Sequence, residues 1–404
     1  MPAAEVAMPS AAGKRRQPAG WGSSSPGGPP RTEGMTAADL LRHMVEVGAS
    51  DLHLKAGSVP FTRVDGTLRP CPFPALGPAD TESLAFALLP ERKASEFQAT
   101  HEADFGYTLL GVGRFRVNVF RQRGMVGLAI RRVRSEIPTF DELRLPPVLS
   151  DLADLPRGLL LVTGPTGTGK TTTIAAIIGH INATRRCHIV TIEDPIEVVH
   201  QDELSLIDQR EIGVDTFSYA AGLKHIVRQD PDVIFLGEIR DPETVEAAIQ
   251  AAETGHLVIS TLHTIDATET VNRIIDLFPS RQQRQARISL AGALRGIVSQ
   301  RLVSRLDGKG RVPVVEVLVN TGRVFDRIID PEVTFSITDV IAEGEFYGMQ
   351  TFDQALVNLV VGGLVSEEDA RNASTSPHDL SLALQRAKGP RPATPVATTG
   401  VRSD

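Results

Sequence analysis

The first third of the sequence consists of short runs in which apolar and polar residues alternate. A helical repeat of apolar positions begins after Thr36, a suitable N-cap. Alternation with a period of two, typical of half-buried strands, covers residues 50–54, 101–110, 114–121 and 125–131. Asp65-Gly66 indicates a hairpin turn, and a second helix is predicted over residues 80–89. These elements predict a small α/β domain over residues 35–134.

From residue 158 the pattern changes to continuous apolar runs that alternate with helical segments. The apolar runs cover residues 159–162, 188–192, 232–237 and 256–263. The helices between them are predicted over residues 172–178, 218–228 and 242–255. This alternation predicts a parallel sheet with both faces covered, and we assign residues 158–280 to such an α/β core.

The last third of the sequence is predicted to be mainly helical over residues 281–387. A mixed helical face runs from Ile288 to Leu302, and two further helices are expected near residues 337–343 and 352–361. This region completes the C-terminal domain.

Three segments lack a regular apolar pattern. Residues 135–157 contain four prolines and are predicted to form a linker between the two domains. Residues 1–34 and 388–404 are dominated by small residues, proline and threonine. Such segments bury too little apolar surface to offset their ordering entropy, so we expect disordered tails.

One block, Gly164-Pro165-Thr166-Gly167-Thr168-Gly169-Lys170-Thr171, fits the pattern G-x-x-x-x-G-K-[ST] at every fixed position. It lies between an apolar strand and a helix that starts near Thr172, which is the context of a phosphate-binding loop, or P-loop. Glycines let backbone N–H groups surround a phosphate chain, and the helix N-terminus adds positive charge. Lys170 can reach the β- and γ-phosphates, and Thr171 can ligate Mg²⁺. The block predicts that residues 164–172 bind ATP with Mg²⁺.

Carboxylates follow two of the predicted strands. Glu193 and Glu197 come after the run at residues 188–192, and Glu238 follows the run at residues 232–237. The carboxyl ends of parallel strands meet at the ligand-binding edge of an open α/β sheet. We therefore expect these side chains near the nucleotide, with Glu238 binding Mg²⁺ through water or positioning the attacking water.

Two histidines flank the apolar run at residues 257–262. A histidine in such a run is more often structural than functional. His263 ends the strand in the same sheet as the phosphate-binding loop, where it could sense the γ-phosphate. For His256 a nucleotide contact and a structural role are both open.

Arginines are concentrated in one short region of the N-terminal domain. They are Arg114, Arg116, Arg121, Arg123, Arg131, Arg132 and Arg134. A solvated basic face explains most of them. A more specific interpretation is that one of these arginines acts on a phosphate bound by a neighbouring subunit.

Composition and charge narrow the class of protein. A length of 404 residues, 41% hydrophobic and 23% charged, fits a soluble protein of two or three domains. No apolar run approaches the roughly 18 residues of a membrane span, and the first residues lack the apolar core of a secretory signal. Cys71 and Cys187 cannot form a four-cysteine zinc site and suit a reducing cytoplasm. The net charge of −7 argues against a nucleic-acid partner.

Four motifs in this order resemble those of the ATPases that power type II secretion and type IV pili. They are the phosphate-binding loop at 164–171, the Asp box at 191–197, the Walker B strand through 237–241 and the His box at 254–264. Within this family, the chain is similar to the ATPases that retract type IV pili in twitching motility. The resemblance spans about residues 36–385.

The resemblance implies a PAS-like N-terminal domain, a RecA-like motor domain and a homohexameric ring, with ATP bound between the two domains. It implies that Glu197 activates water, that Glu238 is the Walker B acid, and that Arg116 and Arg131 contact the γ-phosphate. It also implies a partner in the inner-membrane pilus platform and a location at the cytoplasmic face of that membrane.

Retraction is favoured over pilus assembly and type II secretion on two grounds. The chain has two cysteines where those ATPases usually carry a tetracysteine zinc element, and it has no added domain before residue 35. A retraction paralogue and a general pilus motor both stay open.

Two further functions come from other classes of protein. A non-motor nucleotide switch would bind ATP without sustained turnover, and the acids Glu197 and Glu238 argue against it. A RecA-like translocase would be stimulated by DNA or RNA, which the negative net charge disfavours.

Overall fold

Two β-sheets, one in each half of the chain, organise the computed structural model, which describes residues 35–133 and 136–387. The predicted tails, residues 1–34 and 388–404, lie outside the described residues, as does Arg134 of the arginine-rich region. Within the described ranges, no helix is both long enough and apolar enough to cross a membrane.

The N-terminal sheet has six strands and is antiparallel throughout. The strands are β1 (Asp51–Lys55), β2 (Phe61–Val64), β3 (Thr67–Pro70), β4 (Glu102–Leu109), β5 (Gly113–Gln122) and β6 (Met125–Arg132). They lie in the order β3-β2-β1-β6-β5-β4. Three helices accompany them: α1 (Ala37–Glu46), α2 (Pro78–Leu88) and α3 (Glu91–Thr100). Asp65 and Gly66 form the predicted two-residue hairpin loop, with φ angles of 48° and 78°.

Alternation along β5 explains how this sheet presents its arginines. Phe115, Val117 and Val119 are fully buried in the N-terminal core. Because successive side chains point to opposite faces of a strand, Arg114 and Arg116 lie on the other face. That face is turned toward the C-terminal half, where Arg114 contacts Glu211.

The C-terminal sheet has seven strands. They are β7 (Gly158–Thr163), β8 (His188–Glu193), β9 (Leu206–Glu211), β10 (Val233–Leu236), β11 (Leu257–Leu262), β12 (Leu294–Ser304) and β13 (Arg311–Val319). Their order is β13-β12-β7-β11-β10-β8-β9, and only the β12–β13 pair is antiparallel. Every residue of β7, β10 and β11 is buried, which explains why these strands read as unbroken apolar runs.

Helices cover both faces of this sheet, which confirms the predicted α/β fold class. They are α4 (Phe140–Leu143), α5 (Val148–Ala153), α6 (Lys170–Thr184), α7 (Tyr219–Ile226), α8 (Pro242–Glu253), α9 (Ala267–Asp276), α10 (Ser280–Ala293), α11 (Gly322–Ile329), α12 (Ile337–Ala342), α13 (Phe352–Val361), α14 (Glu367–Ala373) and α15 (Pro377–Ala387). One apolar cluster joins α6 to the sheet, and a second joins α8, α9 and α10 to its other face.

The helical face predicted from Ile288 to Leu302 is wrong over its second half. Helix α10 ends at Ala293, and Leu294 begins the long strand β12. This strand lies between β7 and β13, and residues 296–300 are all buried, so both of its faces are covered and its apolar residues do not alternate strictly. A short apolar run of that kind does not distinguish a helix from a buried strand. The region beyond residue 321 is helical, as expected.

The segment predicted as a linker is more ordered than its prolines suggest. Residues 140–143 and 148–153 form helices α4 and α5. Leu149 and Leu152 are buried in the same apolar cluster as α6. This segment therefore packs against the C-terminal sheet.

Candidate active site

The phosphate-binding loop joins the carboxyl end of β7 to the first turn of α6. Gly164 and Gly169 have φ angles of 144° and 93°, which only glycine adopts readily. A Cβ atom on Gly164 would also lie 2.5 Å from the backbone oxygen of Gln300. The loop needs glycine at both positions, for its backbone angles and for its contact with β12.

Lys170 is folded back onto the loop that carries it. Its Nζ atom donates hydrogen bonds to the carbonyl oxygens of Gly164, at 2.5 Å, and Pro165, at 3.1 Å. Burial lowers the pKa of Lys170, while the charges of Glu238 and Glu197 act in the opposite direction. The ammonium group is therefore held at the loop, within the field of two carboxylates.

Glu193 ends β8 and Glu197 follows it, and the surroundings of the two side chains differ. Glu197 accepts a hydrogen bond of 2.7 Å from the hydroxyl of Thr171, so it lies directly beside the loop. Glu193 is buried and accepts hydrogen bonds from Thr191 at 2.7 Å and Gln209 at 3.0 Å. Burial raises the pKa of Glu193. The carboxyl group of Glu193 thus serves an internal network, whereas Glu197 faces the loop.

Glu238 follows β10 and is held between two basic side chains. Its Oε2 atom lies 2.6 Å from Nη2 of Arg240, and its Oε1 atom lies 3.2 Å from Nε2 of His263. Partial burial acts to raise the pKa of Glu238, but the hydrogen bond from Arg240 and the charge of His263 outweigh it and lower the pKa. The carboxylate is therefore ionised at neutral pH.

One open cavity of about 520 Å³ brings most of the predicted residues together. Its lining includes Thr166, Gly167, Gly169, Lys170, Thr171, Thr172, Glu193, Glu197, Glu238 and His263. The P-loop, the Asp box, the Walker B strand and the His box thus meet at one edge of the parallel sheet, as strand-end geometry requires.

The arginine-bearing strands form the opposite side of an adjoining cleft of about 300 Å³. Arg116 and Arg131, cross-strand neighbours on β5 and β6, line it together with Thr171, Thr172 and Glu197. Arg131 donates a hydrogen bond of 2.9 Å to Asp51, and the side chain of Arg116 makes no hydrogen bond or ion pair with any residue in the described ranges. These two arginines therefore face the loop of their own chain.

His256 lies at the other end of the sheet from the loop. It precedes β11, its backbone oxygen accepts from the N–H of Gly158 at the start of β7, and its Nδ1 atom lies 2.9 Å from the oxygen of Ala251. The loop follows the opposite end of β7. The nucleotide contact considered for His256 is therefore not made within this chain, and its ring has the structural role.

Two residues of the site were absent from the sequence-based predictions. Gln300 on β12 is 3% exposed, donates a hydrogen bond of 2.8 Å to the oxygen of Thr168, and accepts one of 2.7 Å from Thr173. Arg311, at the start of β13, lines the large cavity. Gln300 lies in the segment that was predicted wrongly as helix, and no motif indicated that β12 supports the loop.

Comparisons with known proteins agree with this geometry. The family model described as "Type II/IV secretion system protein" matches residues 114–345. The chain is 43% identical over 346 residues to the type IV pilus ATPase PilU of Pseudomonas aeruginosa, covering 86% of this chain and 90% of PilU. It is 41% identical over 346 residues to the type IV pilus retraction ATPase PilT of the same organism, covering 86% of this chain and all of PilT.

A solved structure is similar over the same extent. The crystal structure of the pilus retraction motor PilT with bound ADP superimposes with a TM-score of 0.78 at 44% identity. The alignment covers 86% of this chain and 99% of that one. That neighbour was solved with ADP bound.

Proposed function

This chain belongs to the family of type II/IV secretion system proteins, and from that premise we propose that it is an ATP-hydrolysing motor that drives retraction of type IV pili. The observation that supports the proposal most directly is the shared cleft. Thr171 and Glu197 lie on one side of it, next to Lys170 in the adjoining cavity, and Arg116 and Arg131 lie on the other side. Phosphoryl transfer to water depends mainly on such positioning and charge stabilisation.

Each side chain has a distinct part in this proposal. The loop residues 164–172 cradle the phosphates with their backbone N–H groups, and Lys170 neutralises the β- and γ-phosphate oxygens. Glu197 accepts the proton of the attacking water. Glu238 is oriented by its contacts with Arg240 and His263 and completes the polar lining of the cavity beside Glu197. Arg116 and Arg131 stabilise the charge that develops on the transferred group.

The same residues fit a magnesium ion. The Thr171 hydroxyl and the carboxylates of Glu197 and Glu238 are oxygen donors, the ligand type that Mg²⁺ prefers, and they line one cavity. Thr171 and Glu238 would hold the ion, directly or through water, and the ion would neutralise phosphate charge.

Mechanical output follows from the placement of the cleft between two domains. A ligand that engages both sides favours one angle between them, and hydrolysis removes that preference. In a homohexameric ring, sequential changes of this angle would perform work on an inner-membrane pilus platform protein from the cytoplasmic face.

Two experiments test the proposal. The purified protein should hydrolyse ATP at steady state, and absence of turnover would favour a non-motor nucleotide switch. Deletion of the gene should leave cells with abundant pili that do not retract when imaged. Loss of pili would instead support an assembly ATPase.

A second candidate is the function of PilU-type ATPases. It is favoured by the near-equal identities of 43% to PilU and 41% to PilT over alignments of the same length. Expression of the chain in strains that lack either ATPase would separate the two. Restored retraction in only one strain identifies the function.

A further inference from the structure

A single buried carboxylate, that of Glu211, bonds to both halves of the molecule. Glu211 ends β9 and is 3% exposed. Its Oε2 atom accepts hydrogen bonds from the guanidinium of Arg114 at 2.6 Å and from the backbone N–H of Ile196 at 3.1 Å. Its Oε1 atom lies 3.3 Å from the backbone nitrogen of Gly106, which donates to it. Two of these donors belong to the N-terminal sheet and one belongs to the Asp box.

The surrounding backbone is shaped to admit this ion pair. A Cβ atom on Gly106 would lie 2.6 Å from Nη2 of Arg114 and 2.9 Å from both carboxylate oxygens of Glu211. Glycine at this position is therefore what allows the pair to close. Arg114 is also fixed from its other side by a hydrogen bond of 2.9 Å to Thr108.

The donors to Glu211 lie next to the residues proposed for catalysis. Ile196 directly precedes Glu197 in the chain. Gly106 is the register partner of Arg116 across β4 and β5, and Arg116 is in turn the partner of Arg131 across β5 and β6. One carboxylate thus anchors both the water-activating side of the cleft and its arginine side.

We propose that Glu211 is a positioning residue for ATP hydrolysis. It sets the distance between Glu197 and the arginine pair by bonding to Ile196, which precedes Glu197, and to Gly106 and Arg114 on the strands that carry the arginine side. The inference rests on the proposed ATPase function. Glu211 is not part of the P-loop, the main contact surface for the nucleotide, so its removal should reduce turnover without weakening nucleotide binding. Misplacement of catalytic groups by about 1 Å can lower a rate by about 100-fold.

The test is the variant Glu211→Gln in the full chain, which keeps the side-chain volume but removes the charge that pairs with Arg114. We expect kcat to fall roughly 10- to 100-fold, while the Kd for a fluorescent ADP analogue stays within about twofold. The matched control is Glu82→Gln, which removes the charge from the exposed Arg121–Glu82 pair of the N-terminal domain. This control should keep the wild-type kcat.

Arg114→Lys provides a second, milder variant that keeps the positive charge but loses the planar fork. Its kcat should lie between those of the wild type and Glu211→Gln, again with an unchanged Kd. The double variant should be no slower than Glu211→Gln alone, because both changes break the same bond.

The outcomes separate the two proposals. A wild-type protein without turnover would overturn the ATPase function and the positioning role together. Turnover in the wild type with an unchanged kcat in Glu211→Gln, or in Arg114→Lys should the first variant not fold, would overturn the positioning role alone. If kcat, nucleotide affinity and melting temperature all fall together, the role of Glu211 would be in domain stability instead.

Discussion

The two sides of the active-site cleft differ in how firmly their side chains are held. On the P-loop side, Lys170 bonds to loop carbonyls, Thr171 bonds to Glu197, and Gln300 supports the loop from behind. On the arginine side, Arg116 is exposed, and the side chain of Arg131 is 72% exposed with a hydrogen bond to Asp51. The P-loop side is therefore formed before a ligand arrives, whereas the arginine side depends on the position of the N-terminal domain.

This difference separates binding from chemistry. A preformed cradle contributes affinity in any domain arrangement. Arginines carried by the other domain contribute only when the domains close on the phosphate, which makes them suited to linking hydrolysis to movement. Variants on the two sides should therefore differ in which kinetic parameter they change. The predictions below are ordered by their expected effect on turnover.

Lys170→Ala should have the largest effect, because it removes the only P-loop side chain that carries charge to the phosphates. We expect kcat to fall at least about 10²–10³-fold, the scale seen when one transition-state donor is lost, and nucleotide affinity to fall with it. Steady-state phosphate release and fluorescent-nucleotide titration measure the two effects. The control Lys224→Ala breaks an exposed ion pair with Glu243 and should leave both parameters unchanged. Turnover within tenfold of wild type would contradict the role of Lys170.

Arg116→Ala should lower kcat by about 10²-fold while the Kd for ADP stays within about twofold, because the arginine acts on charge that develops in the transition state. Arg131→Ala should be milder, since Asp51 already shares its guanidinium. Single-turnover hydrolysis and nucleotide titration test both variants. Arg42→Ala, an exposed arginine of α1, serves as the control. Equal losses of kcat and affinity would show that the arginines bind nucleotide as firmly as the P-loop side does.

The same asymmetry explains what the sequence alone could predict. The P-loop side lies at the ends of consecutive buried strands, so a local motif and strand-end geometry were enough to place Lys170 and Glu238 in one cavity. The same geometry placed Glu197 near the nucleotide, whereas the position of the arginine pair required the packing of one domain on the other, which no local pattern contains. The resemblance to a known family supplied that information.

Two features of the site were left undetermined by the sequence, for distinct physical reasons. Gln300 lies on β12, where burial on both faces removed the alternation that identifies a strand. His256 precedes an apolar strand whose other end carries His263, and a sequence does not by itself say which strand end a histidine's ring approaches. In both cases the missing information was three-dimensional context.

Gln300→Leu tests how much of the P-loop geometry depends on β12. The change keeps the volume but leaves the Thr168 carbonyl and the Thr173 hydroxyl without their partner. Each unsatisfied buried group costs about 1–3 kcal/mol, part of which the loop can relieve by moving. We expect roughly tenfold weaker nucleotide binding and a smaller fall in kcat. Gln250→Leu, on the exposed face of α8, is the control. An unchanged Kd would show that the loop holds its shape without this support.

Glu316→Gln should leave turnover unchanged and alter only how stability depends on pH. Glu316 lies on β13, is 4% exposed, and accepts a hydrogen bond of 2.9 Å from the N–H of Ala267. Burial raises its pKa from 4.5 to about 7, opposed by the hydrogen bond from Ala267 and the charge of Arg301 and aided by the charges of Asp266 and Asp353. Between these two values the folded protein retains a proton that the unfolded chain has released. Stability therefore falls as pH rises through this window, by an amount on the order of 2–3 kcal/mol.

Glutamine keeps the acceptor for the N–H of Ala267 but does not titrate, so this pH-dependent component of stability should be absent from the variant. Urea unfolding at pH 5, 6, 7 and 8 measures it: the free energy of unfolding of the variant should gain on that of the wild type as pH rises, and the gain should level off above about pH 7. Glu343→Gln, which removes the charge from an exposed pair with Arg323, is the matched control and should follow the wild-type curve. If the curves of unfolding free energy against pH are parallel for Glu316→Gln and the wild type, the sheet behind the P-loop moves enough to let water reach this carboxylate. The rigidity attributed to the P-loop side would then not extend to its outermost strand.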